Sequence, residues 1–360
     1  MSRLSNFKDA LAGAGFDAAI VSDHINQRYL SEFPFEDGLV LVTKEKSYLL
    51  TDFRYVEAAK AQASAELTVL TPEQGLLVCA AGLLSDHGCK TVAIEEHSLS
   101  CAAFDSYCEK LKEFEVKKGA SAILSALREK KDEGELAIIE RAQQITDATF
   151  AHILEWIKPD MTEIEVALEI EFYMRKLGAE TVAFDTIAVS GTNSSRPHGV
   201  PRRVKLEKGF LTMDFGARVD GYCADMTRTV VLGKADAELK KLYNTVLNAQ
   251  QAALAAAAEG VSCASLDRVA RDIIDAVPEY AGAFGHSLGH GVGMLVHENP
   301  RLSSRVNPES RLERGHVVTF EPGIYLEGKY GCRIEDMACI RPDGSFYDFT
   351  KSTKELIELF

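Results

Sequence analysis

Two aspartates, Asp214 and Asp225, lie eleven residues apart in the segment MDFGARVDGYCADMTRT, which begins at Met213. Apolar neighbours on both sides of Asp214 predict that it lies on a buried β-strand. A buried carboxylate without a partner is costly, so it requires a proton, a cationic side chain or a metal ion. The segment therefore predicts a site that shares a proton, forms an ion pair or binds metal.

The two aspartates are predicted to share one face of a β-hairpin that spans Leu211–Leu232. A turn centred just before Asp220 would place Asp214 directly opposite Asp225. An Asp220–Gly221 turn would instead place Asp214 opposite Thr227 and diagonal to the second aspartate. Both registers keep the carboxylates on one face, because residues paired across antiparallel strands point the same way. Such facing carboxylates repel each other unless a cation lies between them.

A second hairpin repeats this arrangement in the segment VVTFEPGIYLEGKYGCRIED. Its turn is predicted at Glu327–Lys329, and pairing about Gly328 sets Glu321 opposite Glu335. Either hairpin alone could be explained by an ion pair with a nearby arginine, with three candidates in Arg218, Arg228 and Arg333. The occurrence of two such hairpins in one chain favours a metal site.

The segment AFGHSLGHGVGMLVHE adds three histidines, His286, His290 and His297, among glycines that allow close approach of the backbone. Four carboxylates and one imidazole form an oxygen-rich donor set, which suits Mn²⁺, Co²⁺ or Fe²⁺ and also Zn²⁺. Shared carboxylates can hold two ions roughly 3.5–4 Å apart in hydrolytic sites. Asp185 is expected to be mainly structural.

The composition limits the classes of function. The chain has 360 residues and a formal net charge of −14, which argues against electrostatic binding to nucleic acid or anionic membranes. The N-terminus lacks a continuous apolar segment, so no secretory signal is expected, and no apolar run is long enough to span a membrane. Eight cysteines without a C-x-x-C pair are typical of reduced thiols, so we expect a cytoplasmic protein.

The pattern of elements predicts two domains. Residues 1–127 alternate short helices and strands, which indicates an α/β domain. The charged stretch LREKKDEGE, which begins at Leu127, marks the junction. Residues 128–360 combine clustered helices with antiparallel strands, which indicates an α+β domain, and Thr162 with Glu165 predicts a capping box at the start of one helix.

The second domain resembles the metallopeptidases of the pita-bread fold, which comprise methionine aminopeptidase, aminopeptidase P and prolidase, with the metal-free creatinase as a relative. The resemblance rests on five ordered motifs: SGTNSSRPHGVP, MDFGARVDGYCADMTRT, GHSLGHGVGMLVHE, FEPGIY and CRIEDM. It implies a creatinase-like α/β N-terminal domain followed by an α+β pita-bread (creatinase/aminopeptidase) catalytic domain.

The resemblance also implies a set of site residues and two divalent metal ions, Mn²⁺ being the first expectation and Co²⁺, Fe²⁺ and Zn²⁺ the alternatives. The implied ligands are Asp214, Asp225, His290, Glu321 and Glu335. Asp225 and Glu335 would bridge the two ions. The implied catalytic residues are His198, His297 and Glu321, with Glu321 as the general base. His286 would line the pocket, while Arg333 and Thr227 would orient the carboxylates.

Three features resemble the branch that cleaves before proline: the additional N-terminal domain with its TDFRY element, the T-R-T sequence and the R-I-E-D element. Short proline-containing peptides are the implied substrates. The motifs do not separate Xaa-Pro dipeptidase from Xaa-Pro aminopeptidase. A homodimer is implied, because the N-terminal domain of this family often closes the site of a second subunit. The alternatives are a methionine aminopeptidase-like or other N-terminal aminopeptidase, a creatinase-like amidinohydrolase, and a non-catalytic binding homologue.

Overall fold

The computed structural model describes residues 2–360, which form two compact units with the boundary between Arg128 and Glu129. The domain limits of 1–127 and 128–360 inferred from composition stay a prediction. Among the described residues, no helix has both the length and the apolar character needed to cross a membrane.

The first unit is an α/β layer structure. Its helices are α1 (Arg3–Gly13), α2 (His24–Ser31), α3 (Val56–Gln62), α4 (Leu76–Asp86), α5 (Cys101–Lys110) and α6 (Ala120–Glu129). Its strands are β1 (Ala18–Val21), β2 (Gly38–Thr43), β3 (Ser47–Thr51), β4 (Leu67–Leu70), β5 (Thr91–Ile94) and β6 (Glu115–Lys118). They form one mixed sheet in the order β4-β3-β2-β1-β5-β6. The four residues of β1 are all buried, because strands inside such a sheet are covered on both faces.

The second unit holds four long helices and a set of mostly antiparallel sheets. Its helices are α7 (Glu133–Trp156), α8 (Glu163–Lys176), α9 (Ala237–Ala256) and α10 (Cys263–Asp275). Its strands are β7 (Thr181–Val182), β8 (Ile187–Ser190), β9 (Gly209–Phe215), β10 (Ala217–Val219), β11 (Tyr222–Cys223), β12 (Met226–Leu232), β13 (Gly289–Gly291), β14 (Glu298–Leu302), β15 (Val317–Phe320), β16 (Gly323–Leu326), β17 (Tyr330–Arg333), β18 (Asp336–Ile340), β19 (Phe346–Asp348) and β20 (Glu358–Leu359).

The hairpin between β9 and β12 adopts the second of the two predicted registers. Asp214 pairs with Thr227, and the first register, with Asp214 directly opposite Asp225, is wrong. The turn residues Asp220 and Gly221 have φ of 46° and 88°, the left-handed conformation that a type I′ turn requires and that an Asp-Gly pair favours. Gly216 separates β9 from β10, and a Cβ there would lie 1.8 Å from the backbone oxygen of Ala224.

The second hairpin has the predicted register but is interrupted. Phe320 pairs with Asp336 and Gly323 pairs with Arg333, so the register sets Glu321 opposite Glu335 in the gap between the two ladders. The backbone amide of each glutamate is therefore available to other segments. Glu321 N donates to the oxygen of Leu288 at 2.8 Å, and Glu335 N donates to the oxygen of Thr227 at 3.1 Å. The interruption thus ties this hairpin to the first one.

The helices repeat a pattern that the sequence analysis did not detect. The buried residues of α8 are at positions 163, 166, 167, 170 and 174, and those of α10 are at 263, 266, 267, 270 and 274. Thr162 and Ser262, which precede the two helices, each form an isolated β-bridge, to Lys205 and Arg311 respectively. The helix pair α7–α8 is therefore the structural equivalent of the helix pair α9–α10, which follows it after one hundred residues. The predicted capping box at Thr162 and Glu165 is present.

Candidate metal centre

The five predicted ligands line one cavity of about 410 Å³ in the second unit. They are Asp214, Asp225, His290, Glu321 and Glu335. His198, His286, His297 and Arg333 line the same cavity, whereas Thr227 lies behind it. The volume falls within the range of small-molecule sites, roughly 300–1,000 Å³. All of the predicted site residues are therefore in or next to a single pocket.

Strand ends and strand breaks place these donors. Asp214 lies within β9, and Asp225 directly precedes β12 on the returning strand. His290 is the central residue of β13, a three-residue strand. Glu321 and Glu335 lie in the gap of the second hairpin, where no ladder partner constrains the backbone. Three separate segments of the chain thus converge on one point.

Asp225, His290 and Glu335 form the tightest part of the site, with one donor atom from each lying within 4.8 Å of the others. Nε2 of His290 is 3.6 Å from Oδ2 of Asp225 and 3.3 Å from Oε1 of Glu321. These separations allow one cation to contact several donors. Asp214 also lines the cavity but is not part of this group.

The tautomer and the protonation state of His290 suit it to bind a metal ion. Its Nδ1 lies 3.1 Å from the carbonyl oxygen of Gly291. Because a carbonyl can only accept, Nδ1 carries the proton, and the lone pair of Nε2 faces the carboxylates. Burial lowers the pKa of His290 to about 3, an effect increased by His297. The imidazole is therefore neutral at physiological pH.

The buried carboxylates of Asp225, Glu321 and Glu335 repel one another, so a nearby cation would stabilise their charged forms. Burial, followed by repulsion from Glu335, raises the pKa of Asp225 well above its usual value. Burial, followed by repulsion from Glu321, does the same for Glu335. Burial raises the pKa of Glu321 to about 8, although Arg333 opposes this shift. Without a cation these groups would be held partly protonated, so the donor set fits divalent metal ions.

The hydrogen bonding of Asp214 independently indicates that the site requires a cation. Its Oδ2 accepts a hydrogen bond from Arg333 at 2.6 Å, but its Oδ1 is buried and has no hydrogen-bond partner among residues 2–360. An unsatisfied buried carboxylate oxygen is unfavourable, and a metal ion would satisfy it. The ion-pair alternative, with Arg333 as the cation, therefore accounts for Oδ2 of Asp214 but not for Oδ1.

Arg333 and Thr227 hold the carboxylates in place. The guanidinium of Arg333 also donates to Oγ1 of Thr227 at 3.0 Å and to the hydroxyl of Tyr325 at 2.6 Å. Thr227 in turn donates to Oε2 of Glu335 at 2.6 Å. Because β17 ends at Arg333, a shared strand does not connect Arg333 to Glu335. The influence of Arg333 on Glu335 passes through Thr227 instead.

His286 joins the same network through a tyrosine that sequence reasoning missed. Nδ1 of His286 donates to the oxygen of Ser287 at 2.9 Å, so Nε2 accepts from the hydroxyl of Tyr325 at 3.0 Å. Burial, with Arg333 adding to it, lowers the pKa of His286 to about 4. The alternation of side chains in β16 could have indicated that Tyr325 lies on the same face as Gly323, but its residue type alone does not mark a site.

His297 and His198 lie on the more exposed side of the cavity. The rings of His290 and His297 are 4.3 Å apart at an angle of 71°. Burial, then the charge of Arg301, lowers the pKa of His297. A neutral imidazole there can donate a hydrogen bond to an oxygen of a bound molecule.

The loop that carries His198 is anchored by a buried carboxylate, Glu163, which the sequence did not single out. This carboxylate accepts from the amide of Ser190 at 2.8 Å, from Nδ2 of Asn193 at 3.1 Å and from the amide of Arg202 at 2.9 Å. These three donors lie before and after His198 in the chain. The first turn of α8 therefore fixes both ends of this loop.

Two further cavity residues were not predicted as functional. Arg301, four residues after His297, lines the cavity and forms no ion pair within residues 2–360. In the sequence, only its position directly after VHENP could have indicated a functional role for Arg301. Asp185, expected to be mainly structural, also lines the cavity, beside the apolar residues Phe184 and Ile187.

Comparison with known proteins gives consistent matches over the whole chain. The model of the metallopeptidase family M24 matches residues 137–342, and that of the creatinase/prolidase N-terminal domain matches residues 3–130. A Bacillus subtilis protein, described as the uncharacterized peptidase YqhT, is 39% identical over 99% of this chain and 100% of its own length.

Solved structures agree with these matches. The Xaa-Pro dipeptidase from Bacillus anthracis superposes with a TM-score of 0.93 at 38% identity, covering 99% of both chains. The X-Pro aminopeptidase from Thermotoga maritima superposes with a TM-score of 0.90 at 35% identity, covering 98% of this chain and 100% of its own.

Proposed function

The chain belongs to metallopeptidase family M24, and from this premise we propose that it is a metal-dependent exopeptidase that hydrolyses the bond between an N-terminal residue and proline. The observation that carries the proposal is the convergence of four carboxylates and a neutral histidine on one cavity. Relatives described as Xaa-Pro dipeptidase and X-Pro aminopeptidase support the choice of bond.

Asp214, Asp225, His290, Glu321 and Glu335 are proposed to hold two divalent ions, with Mn²⁺ as the first candidate and Co²⁺, Fe²⁺ and Zn²⁺ as alternatives. Asp225 and Glu335, whose donor atoms lie with that of His290 within 4.8 Å of one another, would be shared by the two ions. When bound, divalent ions would lower the pKa of water and polarise the scissile carbonyl.

The proposed roles of the protein side chains follow from their positions. Glu321, whose Oε1 lies 3.3 Å from Nε2 of His290, is proposed to take a proton from water and to deliver it to the leaving amine. His297 and His198 donate hydrogen bonds to the substrate carbonyl oxygen, where negative charge develops during hydrolysis. His286 is held by Tyr325 and supports the wall of the cavity.

Recognition of proline requires shape more than hydrogen bonds, since the imide nitrogen of an Xaa-Pro bond has no N–H and the ring restricts φ. Phe184, Ile187 and Val296 provide apolar surface in the cavity for a pyrrolidine ring. Arg301 is a cation in the same cavity without an ion-pair partner among residues 2–360, so it is suited to bind the terminal carboxylate of a dipeptide. This observation favours the dipeptidase over the aminopeptidase.

The deciding experiment compares Xaa-Pro, Xaa-Pro-Xaa and Met-Ala-Xaa peptides with protein freed of metal by chelation and then reloaded with Mn²⁺. Cleavage of the dipeptide alone is the expected result, and cleavage of the longer proline peptide would indicate an aminopeptidase. Cleavage of the methionine peptide alone, or equal activity before and after reloading, would refute the proposal. The homodimer, the preference for Mn²⁺ and the cytoplasmic location stay predictions.

A further inference from the structure

Lys131, near the start of the second unit, is buried although it lies in the charged stretch LREKKDEGE. Its side chain is 1% exposed, and its Nζ lies 3.2 Å from Oε2 of Glu298, whose side chain is 4% exposed. The same ammonium donates to the carbonyl oxygen of Glu129 at 3.3 Å. Removing two charges from water is costly, so stability alone is a poor explanation for an ion pair at this depth.

Glu298 directly follows His297 and holds the loop that carries it. We refer to residues 293–297, which end where β14 begins, as the histidine loop. The second carboxylate oxygen of Glu298, Oε1, accepts a hydrogen bond from the amide of Leu295 at 3.1 Å. The carboxylate therefore contacts the histidine loop with one oxygen and the ammonium of Lys131 with the other.

The backbone of the histidine loop packs directly on this ion pair. A Cβ at Gly293 would lie 2.5 Å from Oε2 of Glu298 and 3.0 Å from Cε of Lys131, so a larger residue would displace the carboxylate. The carbonyl oxygen of Gly293 also accepts from the amide of Cys223 at 2.8 Å, within the first hairpin. The position of the loop is thus set by the ion pair and by the first hairpin.

Main-chain hydrogen bonds fix Lys131 independently of its side chain. Its amide donates to the oxygen of Gly315 at 2.8 Å, and the amide of Gly315 donates to the oxygen of Ile340, the last residue of β18, at 2.8 Å. Strand β18 belongs to the same sheet as β13, β14 and β15. The ammonium of Lys131 is therefore anchored to the sheet that carries the histidine loop.

The strand register connects Glu298 to both histidines of the cavity. Glu298 pairs with Gly291, the residue after the proposed ligand His290, and the pairing between β13 and β14 shifts at this point. Glu298 is also the chain neighbour of His297, and the rings of the two histidines are 4.3 Å apart. A displacement of Glu298 would therefore move His297 relative to His290.

We propose that Lys131 is a positioning residue for hydrolysis and that it acts through Glu298, which keeps His297 directed into the cavity. The inference rests on the proposed function, in which His297 donates a hydrogen bond to the oxygen of the scissile carbonyl. Such a donor is effective only when its position is fixed before the reaction, since the negative charge on that oxygen develops in the transition state. Without the ammonium, the carboxylate would lose its counter-charge and move from the loop toward water.

The first test is Lys131→Met, with steady-state hydrolysis of an Xaa-Pro dipeptide by the Mn²⁺-loaded protein. We expect kcat to fall about 10–100-fold and KM to change less than about 3-fold, because the affected hydrogen bond strengthens in the transition state. Lys130→Met is the matched control, since Lys130 forms an exposed ion pair with Glu313 and its loss should leave kcat unchanged. A wild-type kcat in folded Lys131→Met would overturn the inference.

A double-mutant cycle tests whether the effect passes through His297. In a His297→Ala background, Lys131→Met should lower kcat by less than about 2-fold, because no imidazole is left to position. A reduction as large as the one in the native background would show that Lys131 acts elsewhere, and the inference would fail.

The variant Lys131→Met/Glu298→Leu separates positioning from stability. It replaces both charged side chains by apolar ones of similar volume, so the free energy of unfolding in urea should stay near that of wild type. It also removes the acceptor for the amide of Leu295, so kcat should remain as low as in Lys131→Met. A double variant that regains wild-type kcat together with its stability would contradict a positioning role.

Hydrogen exchange provides a measurement that does not depend on activity. The amide of Leu295 should exchange at least about 10-fold faster in Lys131→Met than in Lys130→Met, while the amide of Val230, in the buried strand β12, should be unaffected. Such a result with an inactive wild type would refute the proposed function but support the hold of Lys131 on the histidine loop. Equal exchange of Leu295 in the two variants would refute that hold, whether or not the wild type is active.

Discussion

Arg333 lies 2.6 Å from Oδ2 of Asp214, although 119 positions separate the two residues in the chain. The same guanidinium reaches Thr227, and through it the carboxylate of Glu335. One buried cation therefore orients two carboxylates of the cavity, one directly and one through a threonine, while leaving Oδ1 of Asp214 without a hydrogen-bond partner in residues 2–360. The arginine thus supplies one positive charge to a strongly anionic donor set.

Replacing Asp225 by asparagine should remove metal binding and activity while keeping the fold. The amide is nearly isosteric but lacks the negative charge that two cations would share, so we expect hydrolysis to fall by more than about 100-fold. Metal content per chain and Xaa-Pro hydrolysis are the measurements. Asp220→Asn is the matched control, because Asp220 is an exposed turn residue and asparagine tolerates its φ of 46°. Full metal content and turnover in Asp225→Asn would contradict the assignment.

Arg333→Lys should weaken the metal centre even though the charge is retained. Lysine cannot reproduce the fork that contacts Asp214, Thr227 and Tyr325 at once, so metal affinity or kcat should fall by about 10–100-fold. Calorimetric titration with Mn²⁺ reports the affinity. Arg314→Lys, which alters an exposed ion pair with Glu259, should behave like wild type. Equal affinities in the two variants would indicate that Arg333 has no positioning role.

Glu163→Gln should destabilise the second unit and release the loop that carries His198. Burial opposes ionisation of Glu163, but the hydrogen bonds from Arg202 and Ser190 outweigh it and hold its pKa below the usual value of 4.5. Removing the charge leaves Arg202 without its buried partner, which should cost about 2 kcal/mol of the free energy of unfolding, since the arginine is itself partly exposed. Urea unfolding measures this loss, and Glu171→Gln on the same helix is the control.

The sign of the pH dependence follows from the lowered pKa of Glu163. A carboxylate with a lowered folded-state pKa contributes stability that is present above its unfolded value of 4.5 and is lost as the pH falls through the folded value. The difference between wild type and Glu163→Gln should thus be full at neutral pH and shrink in acid. A difference that is constant over this range would show that ionisation of Glu163 is not its source.

Arg301→Gln should impair binding of dipeptides selectively. Loss of a charge-assisted hydrogen bond to the terminal carboxylate should raise KM for Xaa-Pro by about 10–100-fold, with a smaller effect on the amidated dipeptide, which lacks that carboxylate. Steady-state kinetics on both substrates measure the difference. Arg305→Gln, an exposed neighbour, serves as the control. An equal rise in KM for both substrates would refute carboxylate recognition.

Much of the site was predictable because it depends on local sequence patterns. Period-two alternation placed the carboxylates of each hairpin on one face whichever turn formed, and the metal-binding composition followed from residue types. The register of the first hairpin was not predictable, since it depended on Asp220 and Gly221 both adopting positive φ. Tyr325, Glu163 and Arg301 were missed, because their roles arise from contacts with residues that are distant in sequence.

By itself, the sequence of this protein determined which donor atoms exist and which strands carry them, since residue type and alternation are local properties. Tertiary structure alone decided that Nε2 of His290 faces Asp225 and Glu321, and that Arg333 pairs with Asp214. Burial and charge balance depend on all the segments that meet at a point, and no single stretch of chain contains that information.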